Sequence, residues 1–301
     1  MIEALIEAYG THQRAEGRSP ATVRWHRGAL GLFAAWLAAG GHPADPERWT
    51  PAILRAYVVH LQGAPTPRGT PKAPHTVTSY VTSLRAFCHW LHREEFVAKD
   101  LVARVKVPKA PALAKPVLSA EEVRRLLEAA KGTRTGLRDA ALVLLALDTG
   151  LRCAELASLR EDAVDWSAGI AKVMGKGGRE RYVVFGPQTA RALQRYRLKA
   201  RKGDAPALFQ GEEGEGLTTS GVYQACRRLG RRAGVALNPH KLRHSYVTIA
   251  LRNGASLFLV QKQCGHRDLQ TTLRYAHLAT EDLVEAHARS SPVASALKKA
   301  R

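Results

Sequence analysis

Near its middle the chain reads VKVPKAPALAKPVLSAEEV, residues 105–123, and no single helix or strand can run through that stretch. Each of its three prolines removes a backbone donor and fixes φ, and three lysines make it basic and semi-extended. A chain of 301 residues interrupted in this way is expected to form two domains. The reading places one domain over residues 1–106, a linker over 107–116 and a second domain over 117–301. Ser119 and Glu122 have capping-box spacing, so the second domain opens on a helix.

The first domain reads as a bundle of about four helices. SPATVRWHRGALGLFAAWLAAG begins with an N-cap serine and a first-turn proline, and Val23, Leu30, Phe33, Trp36 and Leu37 then recur at helical spacing. TPAILRAYVVHLQG and APHTVTSYVTSLRAFCHWLHREEF follow the same plan, separated by the Pro-rich loop APTPRGTPKAP. The second domain is mixed. GLRDAALVLLALDTG is apolar almost all round, as a buried helix is. AGIAKVMGKGGRERYVVF alternates about a Gly-rich turn, as a β-hairpin does. Helical patterns follow to the end of the chain, including DLQTTLRYAHL and TEDLVEAHARSSPVASALKKAR. The expected fold is therefore mostly α, with a small β-hairpin or sheet in the second domain.

Lysine and arginine number 46 against 26 acids, a net charge of +20. Residues 1–110 hold 14 basic and 8 acidic side chains, and residues 111–301 hold 32 and 18. An excess shared by both parts and the linker points to a polyanion, with nucleic acid first. The four cysteines form no CxxC pair, so a reducing cytoplasm fits. The amphipathic N-terminus is unlike a signal peptide, and no apolar run approaches the ~18 residues of a membrane span.

The densest chemistry lies in HKLRHS, residues 240–245, directly after Pro239. His240 and His244 could share a helix face and bind zinc, but Lys241 stands where a metalloprotease needs glutamate, and Lys241 and Arg243 would repel a dication. An anion suits the cluster better. A helix N-terminus offers backbone N–H groups, Arg243 offers a planar fork, and His240 lies three residues before it. His244 is assigned a structural role. Three further stretches carry candidate groups: DTGLRCAEL has Arg152 and Glu155, GKGGRER has Lys176 at a hairpin tip, and CGHRDLQTTLRYAH has His266 and Tyr275. Singly, each has a plain explanation. Arg152 could salt-bridge Glu155, Lys176 could be a solvated turn lysine, and Tyr275 could be a core tyrosine.

Together, TGLRCAEL, GKGGRER, HKLRHS and GHRDLQTTLRYAH resemble the tyrosine recombinases, the phage-integrase-type site-specific recombinases, and especially their Xer-like members. The resemblance covers about residues 117–285, and more weakly the first domain, which resembles the family's helical, SAM-like core-binding domain. It implies that Arg152 and Arg243 clamp the scissile phosphate and that Lys176 protonates the leaving 5′-oxygen. His240 would assist proton transfer, His266 would bond the phosphate, and Tyr275 would be the nucleophile. It also implies a double-stranded DNA partner, a homo- or hetero-tetramer on two DNA sites, a cytoplasmic and nucleoid-associated place of action, and no metal or other cofactor. Chromosome partition is one role that Xer-like recombinases serve. Two departures stand out. Lys241 replaces a frequent aspartate, and QKQ with Cys264 replaces commoner apolar or acidic residues before Gly265-His266. Type IB topoisomerases use a similar residue set and differ in product, relaxed rather than recombined DNA. A DNA-binding protein without catalysis would need the basic surface but not all six groups.

Overall fold

The computed structural model describes residues 1–66, 69–103, 105–108, 116–175, 178–265, 273 and 293. It divides into two compact units, Met1–Leu113 and Ala114–Arg301. Lys176, His266 and Tyr275 lie outside the described residues, as do most of the two C-terminal segments expected to be helical.

Among the described residues four α-helices build the first unit: α1 (Ile2–Ala15), α2 (Pro20–Ala39), α3 (Pro51–Gly63) and α4 (Pro74–Arg93). Proline stands in the first turn of α2, α3 and α4, where its missing N–H costs nothing. Ser19 and Thr50 cap α2 and α3 by accepting from the backbone N–H of Thr22 and Ile53. The apolar stripes then face one another. Leu30, Phe33 and Leu37 meet Leu54, Tyr57 and Leu61 of α3 and Leu84, Phe87 and Leu91 of α4. Burial of each such side chain contributes roughly 1.5–3 kcal/mol.

The second unit contains α5 (Ala120–Ala130), α6 (Gly136–Thr149), α7 (Cys153–Ser158), the strands β1 (Val164–Asp165), β2 (Ile170–Met174) and β3 (Glu180–Val184), then α8 (Pro187–Lys199), α9 (Thr219–Ala233), α10 (Pro239–Arg252) and α11 (Leu257–Cys264). The Ser119–Glu122 capping box opens α5, both of its bonds being formed. Helix α6 is the buried one, packed by α5, α8, α9 and α10. Even its charges are inside: Arg138 and Asp139 pair at 2.7 Å, and Arg138 donates to Gln210 O at 3.0 Å. A charge can be buried there only because its partner is buried with it. The hairpin forms in antiparallel register, Ile170 opposite Val184 and Met174 opposite Glu180. Strand β1 adds a third, two-residue strand that the alternation pattern is too short to announce, so β3 is left as a sheet edge.

Gly150 ends α6 with φ +63°, and a Cβ there would sit 2.5 Å from the Tyr246 ring and 2.9 Å from Cys264 Sγ. Only glycine fits that turn, and the turn delivers Arg152 two residues later. All four cysteines are free thiols, and burial pushes Cys88 and Cys226 up to about 12. Among the described residues no helix is long and apolar enough to cross a membrane.

Candidate active site

Helix α11 ends at Cys264 with Gly265 in the left-handed conformation at φ +64°. The last carbonyls of a helix lack intrahelical partners and carry its negative dipole end. Here three arginines from three separate elements supply the donors. Arg152, before α7, donates to Gly265 O at 3.0 Å and Cys264 O at 3.3 Å. Arg243, in the second turn of α10, donates to Cys264 O at 2.9 Å and to Gly150 O at 2.5 Å. Arg181, on β3, donates through Nε to Gln263 O at 3.1 Å.

One buried carboxylate holds two of the three. Glu155 is 3% exposed. Arg181 grips it with two bonds of 2.8 Å, Arg152 Nη1 donates at 3.0 Å, and the Arg152 backbone N–H donates at 2.8 Å. The plain explanation of Arg152, an ion pair with Glu155, is thus realised, yet it does not exhaust the site. Among the described residues three guanidinium groups gather beside a single carboxylate that bonds two of them, so the cluster keeps a positive excess. Arg243 is buried, whereas the Arg152 side chain remains 38% exposed and reachable by an anion. Forked donors of this kind suit phosphate oxygens.

Burial pushes the Glu155 carboxyl up, but the bonds from Arg181 and Arg152 and their charges outweigh it and hold the group below the usual carboxylate range. Burial, with the charges of Arg152 and Arg181, lowers Arg243, though a guanidinium stays cationic at any working pH. A carboxyl depressed on folding stabilises above its unfolded value of ~4.3, and that contribution disappears as pH falls through the folded value. Thermal melting of the wild type should therefore exceed that of Glu155→Gln by most at neutral pH, with the gap closing in acid. A gap independent of pH would contradict this assignment.

The N-terminus of α10 departs from expectation. Asn238 Oδ1 accepts from the Lys241 N–H at 2.8 Å, so that donor is consumed by the helix cap and the guanidinium groups carry the anion-binding capacity instead. Lys241 pairs with Glu122 at 3.3 Å and ties α10 to α5. His240 is exposed, three residues before buried Arg243. His244 is buried, in keeping with a structural role, and next to it Ser245 Oγ accepts from Leu118 N–H at 2.9 Å.

The described residues thus bring Arg152 and Arg243 together on one shared acceptor, Cys264 O, with His240 on the helix that carries Arg243. Lys176 follows Gly175, whose N–H closes the hairpin on Arg179 O at 2.7 Å, and His266 follows Gly265 in sequence. Arg181 went unselected in the sequence, although GKGGRER contains it. The signal was there: it alternates in step with Val183, a core residue, so it faces inward, and a cation facing inward needs partners. Other groups are less suited to the chemistry. Burial raises the Tyr246 phenol well above its ordinary value, and Lys172 is engaged by Glu180 at 2.8 Å, which raises its ammonium. Tyr223 is exposed on α9. Among the described residues no three His, Cys, Asp or Glu side chains converge as a metal site.

Residues 116–282 match the phage integrase family. The chain belongs to that family, and within it is a Xer-like tyrosine recombinase. It is 30% identical to tyrosine recombinase XerD of Listeria monocytogenes over 285 residues, covering 92% of this chain and 94% of the relative. With XerD of Pseudomonas putida the identity is 35% over 291 residues, covering 92% and 93%, and with XerC of Oceanobacillus iheyensis 31% over 310 residues, covering 99% of both. The crystal structure of XerA recombinase is similar at a TM-score of 0.51 and 26% identity, covering 96% of this chain and 99% of that one. The Tn1549 transposon integrase in complex with transposon right end DNA has a TM-score of 0.76 at 18% identity, covering 96% and 99%, and shares the fold.

Proposed function

We propose that the protein cuts and rejoins double-stranded DNA at a specific site through a 3′-phosphotyrosine, with no metal and no nucleotide triphosphate. The observation that carries the reading is the cluster of Arg152, Arg181 and Arg243 around one carboxylate and the end of α11. Attack on a phosphodiester builds charge on the non-bridging oxygens, and fixed guanidinium groups answer it. Tyr275 Oη forms the bond to phosphorus while the bond to the 5′-oxygen breaks. Lys176 gives its proton to that oxygen, His240 assists loss of the tyrosine proton, and His266 bonds the phosphate. The phosphotyrosine keeps the bond energy, and the 5′-hydroxyl reverses the reaction on rejoining. The first unit acts as the core-binding domain and the second as the catalytic one, in a homo- or hetero-tetramer on two DNA sites. The place of action is the cytoplasm, at the nucleoid. The DNA complex named for the similar Tn1549 integrase supports this partner.

Covalent adducts captured on fragmented genomic DNA, with the attached ends sequenced, test the proposal. One recurrent site is expected. Absence of adducts, or scattered ends with relaxation of supercoils as the only product, would contradict it. Duplex affinity should fall steeply with salt, each neutralised phosphate adding about −0.9 to the log–log slope, and a flat titration would count against the reading. Lys176→Ala should lose roughly 10²–10⁴ in cleavage rate, the range for a positioned general acid. Sulfur in place of the bridging 5′-oxygen leaves as a thiolate and needs no proton, so it should restore that variant. Failure of sulfur to do so would remove Lys176 from the role.

A further inference from the structure

We propose that Gln263 is a positioning residue that clasps the end of α11 to the free edge of β3 and so holds the hairpin bearing Lys176 against the arginine cluster. The proposal rests on the recombinase reading above. Strand β3 is the edge of its sheet. The bonds Gly175 N–H to Arg179 O and Phe185 N–H to Gly169 O show that its odd-numbered neighbours turn their backbone groups toward β2. The alternation of an antiparallel ladder turns those of Val184 outward, and among the described residues no further strand meets them.

Gln263 meets them instead. Its Nε2 donates to Val184 O at 2.6 Å, and its Oε1 accepts from Val184 N–H at 3.3 Å. The side-chain amide thereby imitates the peptide group of a fourth strand. Its own backbone carbonyl accepts from Arg181, and the carbonyls of Cys264 and Gly265 next to it hold Arg152 and Arg243. One residue therefore joins the strand leaving the Lys176 tip to the acceptors of the arginine clamp. An apolar side chain at this position can make neither bond, and a carboxylate can make only one.

The clasp acts on the hairpin rather than on the arginines. Helix α11 is separately seated by Val260 and Cys264 against Val247 and Leu251 of α10, and Arg243 has Gly150 O besides. Loss of the amide leaves these and the three Arg181 bonds in place and removes the two bonds that hold Val184 at the edge of β3.

The test is single-turnover cleavage at saturating duplex by Gln263→Met, which keeps length and removes both bonds, and by Gln263→Glu, which keeps only the acceptor. Ordinary and bridging 5′-sulfur duplexes are compared, with Lys176→Ala as reference. We expect both variants to bind duplex like the wild type and to cleave the ordinary substrate roughly tenfold more slowly or worse, a cost typical of a misplaced catalytic group. Sulfur should close the gap, because the step that needs Lys176 is bypassed. Wild-type rates in Gln263→Met would overturn the proposal. So would slowing that sulfur does not rescue, which places the effect on the arginines, or loss of duplex binding, which makes Gln263 a folding residue. If the wild type itself gives no covalent product on either duplex, the recombinase reading falls first, and the clasp falls with it.

Discussion

Tyr275→Phe is expected to abolish strand cleavage while duplex affinity stays at the wild-type level. The substitution removes one oxygen and keeps the ring, so packing and charge are unchanged. Among the described residues the tyrosines that could substitute are poorly suited. The Tyr246 phenol is raised by burial and crowds Gly150 in the turn that positions the arginines. A gel-shift titration and a nicked suicide duplex, assayed side by side, separate binding from chemistry. A covalent adduct that survives in Tyr275→Phe would move the nucleophile, with Tyr246 and then Tyr223 as the residues to replace next.

Arg243→Ala should slow cleavage by about 10³–10⁵, the range for an arginine that stabilises a phosphoryl transition state. Its side chain is buried and donates to Gly150 O and Cys264 O, so its loss also leaves two carbonyls without this donor. Arg243→Lys discriminates between charge and geometry. It keeps the charge as a single ammonium, which cannot span the same acceptors as a planar fork. The lysine variant should recover only part of the rate, and sulfur at the bridging position should rescue neither, because the non-bridging oxygens still gather charge. An alanine variant within tenfold of the wild type would remove Arg243 from the clamp.

Much of the local structure was legible because it rests on local rules. Ser19-Pro20 and Ser119-Glu122 announce helix starts that the structure realises bond by bond. The all-round apolar run at 136–149 announces the buried helix, and the alternation at 168–185 announces the hairpin. What could not be read depends on chain segments distant in sequence. Arg181 and Glu155 lie 26 positions apart and Gln263 is 79 positions from Val184, so neither contact has a periodicity to reveal it. The two residues of β1 carry too short a pattern, and they pair only because β2 is already in place. At α10 the sequence suggested open backbone donors, but Asn238, one residue before Pro239, takes one of them as a cap. Arg152 and Arg243 were legible as chemistry, and Arg181 was not selected. Their common support, the carbonyl end of α11, became visible only in three dimensions.

The central claim is that cleavage proceeds through a covalent tyrosine with the protein's own cations as the only catalysts. The most direct measurement incubates the wild-type protein with a nicked suicide duplex in excess EDTA, without any nucleotide, and maps the DNA-linked peptide by mass spectrometry. The account predicts a 3′-phosphate adduct on Tyr275, formed as fast as in magnesium. An adduct that requires added magnesium, or one carried by another residue, would contradict it.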